Sequence, residues 1–326
     1  MDIYFTKRYG QLSEQIEGGT SESFNFESRN GKIHHMFIKR PIHQVIDGVL
    51  YYDLITPYGY GGPLMNPSCE ESKMDLCKEF EYHFMKYCND NNIVSEFVRF
   101  HPVLNNALDF SNIYHPNCIR KTLGTNLSAY EDPVQSEFSK GCRKSIRQAL
   151  RKGISYKVTE KPDNIDGFMD IYYSTMKRDN AAEFYYFDKT YFDNMLLLLK
   201  NNLLFVEAIY EEKVIAAGLY FISDGMIHIH LSGTLSEYLY LSPAYILRYA
   251  TTLWGKEHGY KMIHHGGGTS NTIDNSLYLF KKQFAKNTEF DFYVGKKIWN
   301  QSVYDKLCEL VGYKSDDDFF PAYRKG

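Results

Sequence analysis

Apolar and polar positions alternate along Met226-Ile-His-Ile-His-Leu231, which predicts a half-buried strand. Ser232-Gly-Thr leads out of it. Ser242-Pro243 then predicts a helix start, with serine as N-cap and proline at the first helical position. Tyr245, Tyr249 and Leu253 recur at helical spacing on one face, and His258-Gly259 marks the end with a C-cap glycine. Met262-Ile-His-His265 predicts a second strand, which empties into Gly266-Gly-Gly-Thr-Ser270. A last helix follows with Leu277, Phe280 and Phe284 in rhythm. Between Met226 and Phe284 a strand twice ends at a helix N-terminus. Such ends present backbone N–H groups to a phosphate or a reacting carbonyl, so the chemistry is expected here.

The rest of the chain alternates strand and helix. Residues 1 to 25 are expected to be loosely structured, with Gly18-Gly19 and a Ser/Glu cluster. Lys32–Lys39 and Val49–Ile55 alternate like strands, with Asp47-Gly48 as a turn. Thr56-Pro-Tyr-Gly-Tyr-Gly-Gly-Pro63 is either a tight strand-to-helix turn or a loop built to approach a ligand closely. An amphipathic helix is expected over Glu70–Asn92, a strand over Val94–His101, and another over Arg120–Ser128. Gln135–Lys152 reads as one long helix whose Lys140, Lys144, Arg147 and Arg151 form a basic face. Such a face is usually a solvated one. Helices at Ile165–Arg178 and Tyr191–Lys200 precede a hairpin of Leu203–Ile209 and Val214–Ile222. A strand at Phe290–Val294 and a helix at Val303–Val311 close the series. This interleaving predicts an α/β protein with mixed sheets, in two domains: residues 1–155 and 156–326.

Composition narrows the class. The 326 residues suffice for two cores, and 44% hydrophobic with 24% charged residues is ordinary for a globular protein. Aromatic content is high, 28 Tyr and 22 Phe, which suits clefts as well as cores. A net charge of −3 supplies no global field for nucleic acid, so no DNA partner is expected. Six cysteines without a CxxC pair fit buried free thiols. The first residues lack a signal-peptide pattern, and no apolar run approaches about 18 residues, so a cytoplasmic protein without a membrane span is expected.

His228 and His230 stand two apart on a strand, but no carboxylate or cysteine accompanies them at ligand spacing, so no metal is expected. His230 or His265, near strand ends, suits a general base toward an amine. A histidine satisfied within a core fits as well. Neither GxSxG, GxxxxGK[ST] nor GxGxxG occurs, which argues against a hydrolase elbow, an ATP-binding loop and a dinucleotide fold. Direct transfer of a preactivated group remains, needing two substrates in line, a polarised carbonyl and a base.

Several motifs together resemble the FemAB-like branch of the GNAT acyltransferases. They are Thr56–Pro63, the helix Gly141–Gly153, His230-Leu-Ser-Gly-Thr, Ser242-Pro-Ala-Tyr245, Gly266-Gly-Gly with Ser276-Leu-Tyr-Leu-Phe-Lys281, and Phe319-Phe-Pro-Ala-Tyr-Arg324. The resemblance spans nearly the whole chain. It implies two GNAT folds in tandem, the second carrying the acyl-CoA site, with the acceptor in the cleft between them. It places His230 to Gly233 (Leu231, Ser232 and Gly233 included) beside the thioester. It places Leu241, Ser242, Pro243, Ala244 and Tyr245 around the coenzyme A pyrophosphate.

Acceptor-binding candidates are Tyr58, Tyr60, His101, Asp179, Gly266, Gly267 and Lys281. Many GNAT enzymes protonate the leaving thiolate with a tyrosine, but Phe280 falls at that place, with Tyr278 close by, so the role is unassigned. The implied activity is an N-acyltransferase from acyl-CoA to the amine of a dTDP- or UDP-linked deoxyamino sugar, for surface polysaccharide. Two other readings stand beside it: a FemX-like peptidyltransferase using aminoacyl-tRNA for peptidoglycan bridges, and a non-catalytic GNAT-like binding module.

Overall fold

A computed structural model describes residues 1–270, 272, 274–313 and 319–325. In chain order the elements are α1 (Lys7–Glu17), β1 (Thr20–Ser28), β2 (Gly31–Pro41), β3 (Tyr52–Ile55), β4 (Leu64–Pro67), α2 (Lys73–Asp90), β5 (Ile93–Arg99), α3 (Ser111–Tyr114) and β6 (Asn117–Asn126). Then come α4 (Pro133–Glu137), α5 (Lys140–Arg151), β7 (Ser155–Glu160), α6 (Phe168–Arg178), α7 (Lys189–Leu199), β8 (Leu203–Tyr210), β9 (Lys213–Ser223) and β10 (Met226–Thr234). Last are α8 (Pro243–Glu257), β11 (Met262–Gly267), α9 (Ser276–Lys282), β12 (Glu289–Ile298) and α10 (Gln301–Leu310).

The chain forms two compact units: residues 1–3 with 120–290, and residues 4–119 with 291–326. The division therefore falls at Ile119/Arg120 and not at residue 155. The stretch 120–154 belongs to the later unit because Phe138, Cys142, Ile146 and Ala149 share a core with Val206, Ile215, Leu247 and Ile263. Residues 291–326 return to the earlier unit, where Val294–Ile298 of β12 pair antiparallel with Arg99–Ser95 of β5.

Each unit repeats one topology. In the unit of residues 4–119 and 291–326, strand order is β1–β2–β3–β5–β12, with β3 and β5 parallel and the other pairs antiparallel. Its core packs α2, through Leu76, Phe80 and Phe84, on Ile33, Phe37, Leu54 and Val98. In the unit of residues 120–290, the order is β6–β11–β10–β9–β8–β7, with β10 and β11 parallel and the rest antiparallel. Helix α8 connects β10 to β11 as α2 connects β3 to β5, the crossover that parallel neighbours require.

Three local expectations are corrected. Residues 1–25 are ordered: Thr6 caps α1 by accepting from Tyr9 N–H, Gly18 ends it in the left-handed region, and β1 follows at once. The long helix over 135–152 is two helices, because Phe138 is extended and Ser139 starts α5 afresh, accepting from Cys142 N–H. Cys77, Cys88 and Cys142 are buried free thiols, but Cys69 and Cys118 are exposed. Among the described residues no helix is long and apolar enough to cross a membrane.

Candidate active site

Strands β10 and β11 pair in parallel only from Met226–His228 to Met262–His264. Beyond that point β10 continues along β9 to Thr234, and β11 continues along β6 to Gly267. The two strands thus part company, leaving a gap between Ile229–Thr234 and His265–Gly267. Each carries a β-bulge at the parting, His230 on β10 and His265 on β11. Bulges re-aim side chains and often border functional sites. An alternating apolar pattern gives no sign of them.

The corresponding pair in the other unit stays closed. Thr56 N–H donates to Phe97 O at 3.2 Å and Gly61 N–H to Arg99 O at 2.8 Å, so the chain after β3 keeps pairing with β5. Asn106 Nδ2 fixes the loop by donating to Gly61 O and Pro63 O, both at 2.9 Å. Of the two parallel pairs among the described residues, β10–β11 is the one that is split.

Helix α8 starts at Pro243 as the sequence predicts, but Ser242 does not cap it: it sits in the left-handed region at φ 56° and no side chain caps the first turn. Leu241 and Pro243 are buried, while Ser242, Ala244 and Tyr245 are half-buried. The Tyr245 ring meets Phe280 at 5.6 Å and Phe284 at 5.3 Å, which sets the start of α8 beside α9.

Next to the gap lies a cationic group that the sequence did not reveal. Arg248, on α8 and 5% exposed, donates from Nη1 to the Tyr220 hydroxyl at 2.5 Å and from Nη2 to Ser232 Oγ at 3.3 Å. Both acceptors are neutral. No carboxylate pairs with Arg248 among the described residues, and its Nε has no acceptor. Tyr220 reaches this place only because residue 218 is glycine: a Cβ there would meet the Tyr220 hydroxyl at 2.1 Å. Lys281 donates to Gly267 O at 2.7 Å and Arg120 to Gly268 O at 2.8 Å, so both cations sit at the end of β11. Burial, then the Arg248 and Arg120 charges, pull the Lys281 pKa down to about 7.

The two histidines differ in setting. His230 is half-buried, hydrogen-bonded to the Tyr191 hydroxyl at 2.7 Å and packed on Phe221 at 4.4 Å. Burial, then His228, pushes its pKa down to about 3. His265 is fully buried. Thr125 Oγ1 gives its hydrogen to Phe284 O at 2.7 Å and therefore accepts from His265 Nε2–H at 2.8 Å. The lone pair of His265 then sits on Nδ1, which has no hydrogen-bond partner. Burial, Arg248 and Lys281 hold its pKa well below the usual imidazole range. Both rings are neutral near pH 7, so the group that titrates there is Lys281.

The remaining candidates divide between the units. Gly233 lets α6 lie against β10, since a Cβ would meet Ile171 O at 2.5 Å. Leu231 is buried in the same stretch. Asp179 is exposed at the end of α6, paired at 2.9 Å with Arg178, whose Nη1 donates to Thr234 O at the end of β10. Gly266, at φ 72°, and Gly267 end β11. Tyr58, Tyr60 and His101 belong to the other unit. There Tyr9 donates to Tyr58 O at 2.5 Å, and the Tyr60 ring lies 5.9 Å from the fully buried His101. His228 pairs at 2.7 Å with the buried Asp2, a carboxylate that spacing along the sequence did not place beside it.

Residues 136–273 match the model of the acetyltransferase (GNAT) domain. No curated protein matches the chain. Among solved structures it is similar to FemX, at 11% identity over 94% of both chains, with a TM-score of 0.71. It is also similar to the C-terminal domain of a putative lysylphosphatidylglycerol synthetase from Agrobacterium fabrum, at 15% identity over 95% of this chain and 92% of that one, TM-score 0.57. A third is L-PGS from Bacillus licheniformis, at 16% identity over 93% and 97%, TM-score 0.51. At such identities the likeness is one of fold. The chain is an α/β protein of GNAT fold, built as two GNAT-like units, with a GNAT acetyltransferase domain over residues 136–273.

Proposed function

We propose that the chain is an N-acyltransferase that moves an acyl group from acyl-CoA to the amine of a dTDP- or UDP-linked deoxyamino sugar in the cytoplasm. The observation that carries this reading is the separation of β10 from β11 past His228 and His264, beside the start of α8. A gap between parallel strands accepts an extended pantetheine arm on backbone hydrogen bonds. The uncapped first turn of α8 suits the pyrophosphate, with Leu241 to Tyr245 around it. His230, Leu231, Ser232 and Gly233 border the thioester, and backbone N–H groups of the bulged strand polarise its carbonyl. The closed β3–β5 pair makes the other unit the poorer donor site.

Lys281 moves the proton. Its neutral form takes a proton from the incoming amine as nitrogen bonds to the carbonyl carbon. The resulting ammonium then protonates the thiolate as the C–S bond breaks. One lysine titrating near 7 thereby supplies both the base and the acid, the latter missing because Phe280 stands where a tyrosine acid is common. His230 and His265, neutral throughout, hold the site's shape. Tyr58, Tyr60, His101, Asp179, Gly266 and Gly267 are proposed for the acceptor.

A second reading is aminoacyl transfer from charged tRNA, favoured by the exposed Lys140, Lys144, Arg147 and Arg151 of α5. Against it, the charges of Arg248 and Arg120 oppose the α-ammonium of an aminoacyl group. Mass-spectrometric assay of acyl transfer from a panel of acyl-CoAs to dTDP- and UDP-amino sugars decides between them. Product with an acyl-CoA supports the first reading. Product only with aminoacyl-tRNA establishes the second. Binding without transfer marks a non-catalytic module.

A further inference from the structure

Arg248 is a buried cation without a counter-charge among the described residues. Of its donors, Nη1 is taken by the Tyr220 hydroxyl and Nη2 makes a long contact to Ser232, while Nε has no acceptor. Nε and Nη2 form one edge of the guanidinium, the edge that takes a carboxylate side-on through two parallel hydrogen bonds. Burying a guanidinium against two neutral hydroxyls is costly. The guanidinium also faces the Tyr220 ring at 5.4 Å, which offsets part of that cost but supplies no counter-charge. Its neighbours on the same stripe of α8, Thr251, Thr252 and Gly255, are small and uncharged.

The place of the group matters as much as its charge. Arg248 lies four residues beyond Ala244, so about 6 Å down the helix from the first turn. It therefore lies below the proposed pyrophosphate seat. Through Ser232 it touches the stretch of β10 assigned to the thioester, and its charge acts on His265 and Lys281 across the gap. Arg120 adds a second fixed positive charge, at the end of β11. The surroundings favour a negative group carried by the acyl chain itself.

We propose that the transferred acyl group bears its own carboxylate, seated on the Nε/Nη2 edge of Arg248, so that the donor is a dicarboxylic acyl thioester of the succinyl or malonyl kind. This rests on the acyl-thioester reading of the gap. Arg248 then acts as the residue that selects the donor. Acetyl groups leave the guanidinium unpaired, and α-ammonium acyl groups are repelled.

Calorimetric titration of the full chain with acetyl-CoA and with succinyl-CoA tests this, for wild type and for Arg248→Gln and Arg248→Lys. Wild type is expected to bind succinyl-CoA at least about tenfold more tightly, and Arg248→Gln to bring the two within about twofold. A wild-type preference for acetyl-CoA, or none, overturns the proposal even where the variants fail to fold. Equal loss for both donors in Arg248→Gln overturns it too, since Arg248 then reads a part they share. A parallel melting experiment uses millimolar succinate against chloride at matched ionic strength. If neither acyl-CoA binds but succinate raises the Tm of wild type and not of Arg248→Gln, the thioester reading fails while the carboxylate seat stands. If succinate does nothing either, both fall.

Discussion

Lys281 Nζ donates to the carbonyl oxygen of Gly267 at 2.7 Å, which ties the cation of α9 to the last residue of β11. Held there by one neutral acceptor, near Arg248 and Arg120, the ammonium is destabilised and the amine form is populated near neutrality. If the neutral amine is the base, kcat/KM rises with pH through about 7 and then levels. Lys281→Met is expected to lower kcat/KM by about 100-fold or more and to erase that inflection. A profile that falls above pH 7 would assign Lys281 to charge stabilisation in its protonated form.

The same group makes stability depend on pH. Its folded pKa of about 7 lies below the 10.5 of an ordinary lysine, so between these values the unfolded chain binds more protons. The stabilising effect of deprotonation is absent below 7 and grows as pH rises. The ligand-free protein is therefore expected to gain Tm from pH 7 to 9, and Lys281→Met to flatten that gain. Equal slopes in both proteins would contradict the burial of this ammonium.

Tyr220 holds Arg248 in place, and Gly218 makes room for Tyr220. Tyr220→Phe keeps the ring and removes the acceptor, which is expected to cost about 1–3 kcal/mol in urea unfolding. Gly218→Ala forces the ring away, for a cost of about 1–3 kcal/mol, and loses donor affinity with it. Unchanged midpoints in both variants would show that the contact carries no weight.

His230 accepts or shares the Tyr191 hydroxyl proton while staying neutral at working pH. As a positioning residue it is expected to show no inflection of its own near pH 6.5. His230→Ala should lower turnover about tenfold, and His230→Gln, which keeps a polar partner for Tyr191, should recover most of it. A wild-type inflection near 6.5 that His230→Gln removes would make His230 the base instead.

Much of the unit around residues 120–290 was legible in sequence. Alternation at Met226–Leu231, the Ser242-Pro243 start and the His258-Gly259 stop marked β10 and α8 to within a few residues. Arg248 was not legible, because a charged residue in a helix reads by default as solvated. Its small neighbours at i+3, i+4 and i+7, with no acid at helical spacing, were the available signal. The bulges at His230 and His265 leave no trace in a period of two. The unit boundary was misplaced because β12 completes β5 from nearly two hundred residues away, a pairing that local pattern does not encode. The order in residues 1–25 escaped for a smaller reason: α1 buries only Tyr9, Gly10, Leu12 and Ser13, too weak a stripe beside the polar residues around it.

The donor reading stands or falls on what binds at the start of α8. Calorimetry with acyl-CoAs, for wild type and for Ala244→Asp, addresses it directly. The substitution sets a carboxylate at the first turn, where it repels the pyrophosphate while favouring the helix itself. Wild type is expected to bind acyl-CoA with a Kd in about the micromolar range and Ala244→Asp at least about tenfold more weakly, with an unchanged or higher Tm. Absence of heat with every acyl-CoA, alongside measurable binding of charged tRNA, would contradict it.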